Sequence, residues 1–318
     1  MGDKGGALVM SVMSNNVTER GIRVEYEARV LTLIIDDEGA VQGLVVRINQ
    51  QELNVRARKG VILCAGGFVM NDAMLKQYAP DLLRCNYQTG NPGDMGTGIL
   101  MGMGVGGAAI NMHEGFVSIA YYQPASLTNG IFINQMGQRF INEDCYHGRV
   151  GSFALKQPGD RIFLVFNVED YGNYEQINYI FAPVAGTGDS VEELEQELEL
   201  TAGSLAGTLA MYNQHAAKGE DPLFHKSAEW LKPIEPPLVA LDCTPGRGAF
   251  YSFFTLGGLD TQPSGEVLSA EGQVIKGLYA AGRTACGIVR RGDGYSSGMS
   301  VGDATFSGRL AGKAAASR

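Results

Sequence analysis

The chain has 318 residues, enough to bury one large core or two linked ones, and its 45% hydrophobic and 19% charged residues are those of a globular protein. The net charge of -9 argues against a nucleic-acid partner. No apolar run approaches membrane-spanning length, and the N-terminus lacks the basic-then-apolar layout of a secretory signal, "GALVM" being too short for either.

In chain order, residues 7–20 put Leu8, Val9, Val12 and Met13 on one helical face, and Gly21 is placed to stop the helix. "IRVEYEARVLTLIIDD" reads as a strand, "DDEG" as a turn and "AVQGLVVRI" as the returning strand. "ELNVRARKGVILCAGG" reads as one further strand, whose run Val61 to Cys64 is apolar at every position, as in a strand buried on both faces. Asn71 is placed to cap a short helix, "DAMLKQYA", that Pro80 ends. The loop "GNPGDMGTG" leads to another helix.

From about Met112 to Leu238 aromatics and loops are denser. "GIFINQMGQRFINED" predicts a hairpin and "DRIFLVFNVED" a strand. "VEELEQELEL" and "GTLAMYNQHAAKG" predict two helices, and a proline break at "EPPLVALD" closes the region. A last helix is expected from near Ser300 through Val301, Ala304, Leu310 and Ala314, with Gly308 and Gly312 four apart for close packing. The layout is α/β at both ends with an inserted middle.

The 44 glycines imply many sharp turns or close backbone approaches. Two apolar runs end on such residues, "VILCAGGF" at Ala65-Gly66-Gly67 and "GLYAAGR" at Ala281-Gly282, and ligands gather at the carboxyl ends of strands in α/β sheets. Asp94 could cap the following helix or hold a ligand hydroxyl. The start of the last helix, beyond Gly298, offers free N–H groups and a positive dipole end to an anion such as the N1/C2 carbonyl edge of a reduced flavin. Tyr295, Ser296 and Ser297 would then lie beside the ring. The five cysteines (Cys64, Cys85, Cys145, Cys243, Cys286) are scattered and lack C-x-x-C spacing, and the four histidines have no metal spacing. Reduced thiols in a cytoplasmic protein with no metal site are expected. Cys145 and His147 lie too close in sequence to face each other as a nucleophile and its base.

"VILCAGGF", "GDMGTG", "FINQMGQRFINED", "TLGGLDT", "GLYAAGR" and "GYSSGMSVGDATFSGRLAG", in this order, resemble the fumarate reductase/succinate dehydrogenase flavoprotein family, and within it the 3-ketosteroid dehydrogenases of the Δ4-(5α) type. The resemblance implies a Rossmann-like, glutathione-reductase-type FAD-binding domain (residues 1–111 and 241–318) interrupted by an α+β cap domain (112–240), with a small-molecule substrate between them. It implies Tyr295 or Tyr146 as base or proton-transfer partner, supported by Ser297. It implies FAD contacts from Val30, Ala65, Gly66, Gly67, Asn71, Asp94, Gly282, Arg283, Gly298, Ser300 and Val301. The implied reaction dehydrogenates a C–C bond next to a ketone. Fumarate-reductase-like reduction of an activated C=C bond is the alternative reaction, and an inactive half-enzyme is the alternative outside catalysis.

Three departures stand out. Soluble fumarate reductases carry an Arg proton donor at about the position of Tyr295, although Arg290 and Arg291 lie close by. Many members have Glu where this chain has Arg283. The strand, G-x-G-x-x-G turn and helix that open the family's FAD domain do not precede residue 30, so the Rossmann segment is expected to be missing: the alternatives are a truncated product, a fragment, or one piece of a split enzyme that associates with a chain supplying the segment.

Overall fold

The computed structural model describes residues 5–119, 125–176 and 181–318. Helix α1 (Gly5–Glu19) buries none of its side chains, so the expected apolar face has no covering among the described residues. Gly21 ends it with φ +62°, while the Gly21 and Ile22 amides reach back to the Thr18 and Val17 carbonyls. Residues 22–28 are not strand, and Glu27 has φ +52°. The strands β1 (Arg29–Ile35), β2 (Val41–Ile48) and β3 (Gln51–Arg56) form an antiparallel meander. Its first turn is held by Asp36, whose Oδ1 accepts from the Glu38 and Ala40 amides.

The strand expected over "ELNVRARKGVILCAGG" is two strands in two sheets. Gly60 turns the chain at φ +144°, where a Cβ would lie 2.8 Å from the Gly277 carbonyl oxygen. β4 (Val61–Leu63) thereby leaves the meander and joins another sheet. Cys64, just past it, is exposed rather than buried.

Helix α2 (Asp72–Tyr78) starts at its Asn71 cap, whose side chain accepts from the Met74 amide at 3.1 Å. β5 (Tyr87–Gln88) leads to α3 (Thr97–Gly104), which is capped by Gly96 in the left-handed region and not by Asp94. β6 (Ala109–Ile110) and β7 (Gly115–Ile119) follow. β8 (Ile131–Asn134) turns through the Asn134 side chain, which accepts from the Met136 and Gln138 amides. The expected hairpin return is a single bridge at Arg139. Next come α4 (His147–Leu155), β9 (Ile162–Asn167), α5 (Val168–Gln176), β10 (Val184–Gly188), α6 (Val191–Glu197) and α7 (Ser204–Ala216). β11 (Leu238–Asp242), β12 (Tyr251–Thr255), β13 (Gly258–Leu259), β14 (Glu266–Leu268) and β15 (Val274–Ala280) precede α8 (Met299–Ser317).

The result is a mixed α/β fold. The middle of the chain forms one sheet in the order β10-β11-β9-β8. On β9, Phe163 and Val165 face a core with Leu194 of α6 and Leu205 and Leu209 of α7, while Ile162, Leu164 and Phe166 join the main core. This two-sided burial is why β9 reads as an unbroken apolar run rather than an alternating one. β7 pairs instead with β12. β14, β15 and β4 make a further sheet, on which α8 packs through Ala311 and Ala315. Gly265 makes that approach possible, since a Cβ there would lie 2.7 Å from the Ala311 Cβ. Gly308 and Gly312 do not serve the packing expected of them, and nothing lies within 4 Å of a Cβ at either.

Candidate active site

β4 and β15 run parallel, with Val61 opposite Leu278 and Leu63 opposite Ala280. The two glycine-bearing exits therefore emerge side by side, joined where the Ala281 amide donates to the Leu63 carbonyl at 3.1 Å. Beyond them, and against the start of α8, opens a cleft of about 1660 Å³. Ala65, Gly66, Asp94, Gly282, Arg283, Tyr295, Ser300 and Val301 line it, together with Cys64, residues 89–91, Phe254 and the Val9, Met10 and Met13 side of α1.

Gly67 stands just behind the wall, where a Cβ would lie 2.6 Å from Thr255 Oγ1. Gly298 is the N-cap of α8 at φ +89°, and no side chain caps this helix, so its first turn presents amides toward the cleft. Two expected cofactor residues are elsewhere. Val30 lines a separate groove of about 340 Å³ with Thr97, Leu100 and Met101 of α3. Asn71 is occupied by its capping bond and by donation from Nδ2 to the Met95 carbonyl at 2.9 Å.

Asp94 is 1% exposed, and its Oδ2 accepts from Arg283 at 2.7 Å and from the Asn91 amide at 3.1 Å. Gly66 is required beside it, because at φ +78° a Cβ would stand 1.9 Å from Asp94 Oδ1. The Arg283 guanidinium also lies 5.1 Å from the ring centre of Phe254.

Tyr295 is 9% exposed and donates to Ser300 Oγ at 3.1 Å. Its ring packs 4.4 Å from Phe116 and meets Phe254 edge-on at 5.4 Å and 78°. Tyr146 and Ser297 share a second hydroxyl–hydroxyl bond of 3.0 Å, though they are 151 residues apart. Of the three expected catalytic side chains, Tyr295 lines the cleft, while Tyr146 and Ser297 bond to each other just before the start of α8 and do not line it. Arg290 and Arg291 are exposed and do not line it. Burial pushes the Cys145 thiol up to about 12, and Sγ donates to the Tyr146 carbonyl, an arrangement that favours the neutral thiol. Burial also lowers the His147 pKa, favouring the neutral ring.

Phe116, Phe254, Cys64 and the 89–91 loop were not legible as site residues. Phe254 lies in "FYSFFT", buried throughout β12, so periodicity does not say which ring meets a ligand. Among the described residues no group of three His, Cys, Asp or Glu could hold a metal ion, and no helix is long and apolar enough to cross a membrane. The donor set suits the isoalloxazine half of a flavin: apolar side chains from α1, α8 and Phe254, helix amides without a side-chain cap, and the Arg283 guanidinium. The described residues include no G-x-G-x-x-G turn between a strand and a helix for the pyrophosphate.

Comparison with known proteins agrees with this chemistry. The chain is 29% identical over 320 residues to a fumarate reductase (cytochrome) of Shewanella frigidimarina, covering 98% of this chain and 55% of that protein. It is 26% identical over 356 residues to a 3-oxosteroid 1-dehydrogenase of Mycobacterium tuberculosis, covering 96% of this chain and 62% of the relative. The chain thus spans little more than half the length of these relatives. Among solved structures, 3-ketosteroid-Δ4-(5α)-dehydrogenase from Rhodococcus jostii, in complex with 4-androstene-3,17-dione, superposes with a TM-score of 0.89 at 39% identity, covering 99% of this chain and 64% of that one. The FAD binding domain family matches residues 1–297, and this chain belongs to that family.

Proposed function

We propose that this chain forms the flavin-facing and substrate-facing part of an FAD-dependent oxidoreductase that dehydrogenates a C–C bond next to a ketone, in a substrate of the 3-ketosteroid class. The observation that carries this reading is the pair of hydroxyl bonds, Tyr295–Ser300 and Tyr146–Ser297, set at the uncapped end of α8 beside the cleft. The dehydrogenase likeness at 39% identity supports the substrate class.

FAD supplies the hydride acceptor when bound. Tyr295 Oη takes the proton α to the carbonyl as it gives its own to Ser300 Oγ, whose hydroxyl proton passes to water. Tyr146 Oη and Ser297 Oγ hold the substrate oxygen as it gains negative charge, the role of oxyanion donors. Phe116 and Phe254 buttress the Tyr295 ring and keep water from its face. We read residues 1–111 and 241–318 as the FAD-binding part and 112–240 as the cap. The exposed apolar sides of α1 (Leu8, Met10, Met13) and α8 (Val301, Phe306) suit a covering βαβ segment that carries the pyrophosphate turn. The unpaired cysteines fit a reducing, cytoplasmic setting.

The reading is tested by anaerobic mixing of the FAD-loaded protein with a saturated 3-ketosteroid. The steroid should bleach the flavin, and the reduced flavin should not be reoxidised by fumarate. Reoxidation by fumarate without bleaching by steroid selects the fumarate-reductase alternative. That alternative has the identity to the Shewanella enzyme in its favour but has no arginine in the cleft wall at the position of Tyr295.

The cleft itself has a test that needs no turnover. Cys64 is the exposed thiol of the wall, whereas Cys243 is fully buried. With FAD at ten times its dissociation constant, alkylation of Cys64 should slow about tenfold, by mass action. Peptide mapping reads the rate, and an unchanged Cys64 rate in protein that has bound FAD would place the cofactor elsewhere.

A further inference from the structure

We infer that Arg283 and Asp94 form a charge-balanced pair in the cleft wall that sets the reduction potential of the flavin. The inference rests on the flavin reading of the cleft.

Asp94 is a carboxylate walled in by backbone. A Cβ on Gly66 would stand 1.9 Å from its Oδ1, and one on Gly90 2.6 Å from its Oδ2. Its formal charge is met by Arg283 at 2.7 Å, with the Asn91 amide as a further donor. Arg283 is the less enclosed partner, its side chain 28% exposed against 1% for Asp94. Among the described residues its only hydrogen bond is to Asp94, so its remaining N–H donors are free to meet a group in the cleft. Stacking over Phe254, whose ring in turn meets Tyr295, fixes the guanidinium between the strand exits and the reacting end. A Lys could supply the charge but not the fork or the stacking.

A bound flavin gains net negative charge when it takes up two electrons and one proton. A cation in the wall favours that state and an anion opposes it. In the wild type the two charges largely cancel. Removing either exposes the other in a poorly screened site, so the two single variants act in opposite directions.

The test is a slow reductive titration of FAD-saturated protein against a reference dye. Arg283→Gln should make flavin reduction at least about tenfold less favourable, a fall of about 30 mV for a two-electron couple. Asp94→Asn should raise the potential by a similar amount, and the double variant should return close to wild type. Arg283→Lys should restore most of the potential, and thermal melting separates it from the folding effect of losing the fork. Potentials that stay put in both single variants, or move the same way, overturn the inference and leave the flavin reading intact. A wild-type chain that takes up no FAD overturns both.

Discussion

Replacing Tyr295 with Phe should leave bound flavin in place and slow its reduction by a 3-ketosteroid by about 10²–10⁴-fold, the usual worth of a positioned acid–base group. The substitution is selective because ring and hydroxyl have separate jobs. The ring sits 4.4 Å from Phe116 and 5.4 Å from Phe254, and Phe keeps both contacts. The hydroxyl makes one hydrogen bond, to Ser300 Oγ at 3.1 Å, whose loss costs folding only about 0.5–1.5 kcal/mol. Stopped-flow reduction under saturating steroid reads the chemical step, and the flavin spectrum reads occupancy. Ser297→Ala should weaken the reaction less, because the Tyr146 hydroxyl remains to hold the substrate oxygen. A Tyr295→Phe enzyme within threefold of the wild-type rate, a difference under about 1 kcal/mol in the barrier, would remove Tyr295 from proton transfer.

The sequence made the ends of β4 and β15 legible because a short apolar run that stops on glycine marks both a buried strand and its exit. It did not contain their pairing. Leu63 and Ala281 meet across more than two hundred residues, and nothing local in "GVILCAGG" names its partner. The same holds for Tyr146 with Ser297. Their convergence came from likeness to a family and not from spacing.

Capping was readable where it obeys local rules. Asn71 caps α2 as its position predicts, and that duty is what withdraws it from the cleft. Asp94 sits too early to cap α3, since Gly96 takes that place, and its carboxylate is met by Arg283 instead. Helix α5 was missed because it follows β9 with no loop residue between them. Glu169 and Asp170 in its first turn were the available signal. Gly308 and Gly312 misled for a different reason. A small-residue face marks close approach, but the pattern does not say whether a helix or a ligand approaches, and Gly308 borders the open cleft.

The largest stability effect should come from Glu143, whose carboxylate sits in a buried charge cluster. Its side chain has no solvent exposure. Its carboxylate accepts two bonds from Arg139, at 3.0 and 2.7 Å, one from the Phe132 amide at 3.0 Å, and faces Lys226 Nζ at 3.2 Å. Arg139 is also bound by Asp221 at 2.9 Å and clamped between the rings of Tyr212 and Phe224. Lys226 has the Gly130 carbonyl at 2.7 Å as its other partner, and burial lowers its pKa. Glu143→Ala therefore leaves one buried ammonium with only the Gly130 carbonyl and the face of the Tyr212 ring, no counter-charge in contact, and strips the guanidinium of its fork. Breaking such a pair from one side costs about 3–5 kcal/mol. Chemical denaturation should register that loss. Neutralising both members with apolar residues of similar size, as in Glu143→Leu with Lys226→Met, should recover much of it, since the desolvation of two ions disappears along with their attraction. A Glu143→Ala chain destabilised by less than about 1 kcal/mol would mean that water reaches the cluster and that the pair is worth no more than one on the surface.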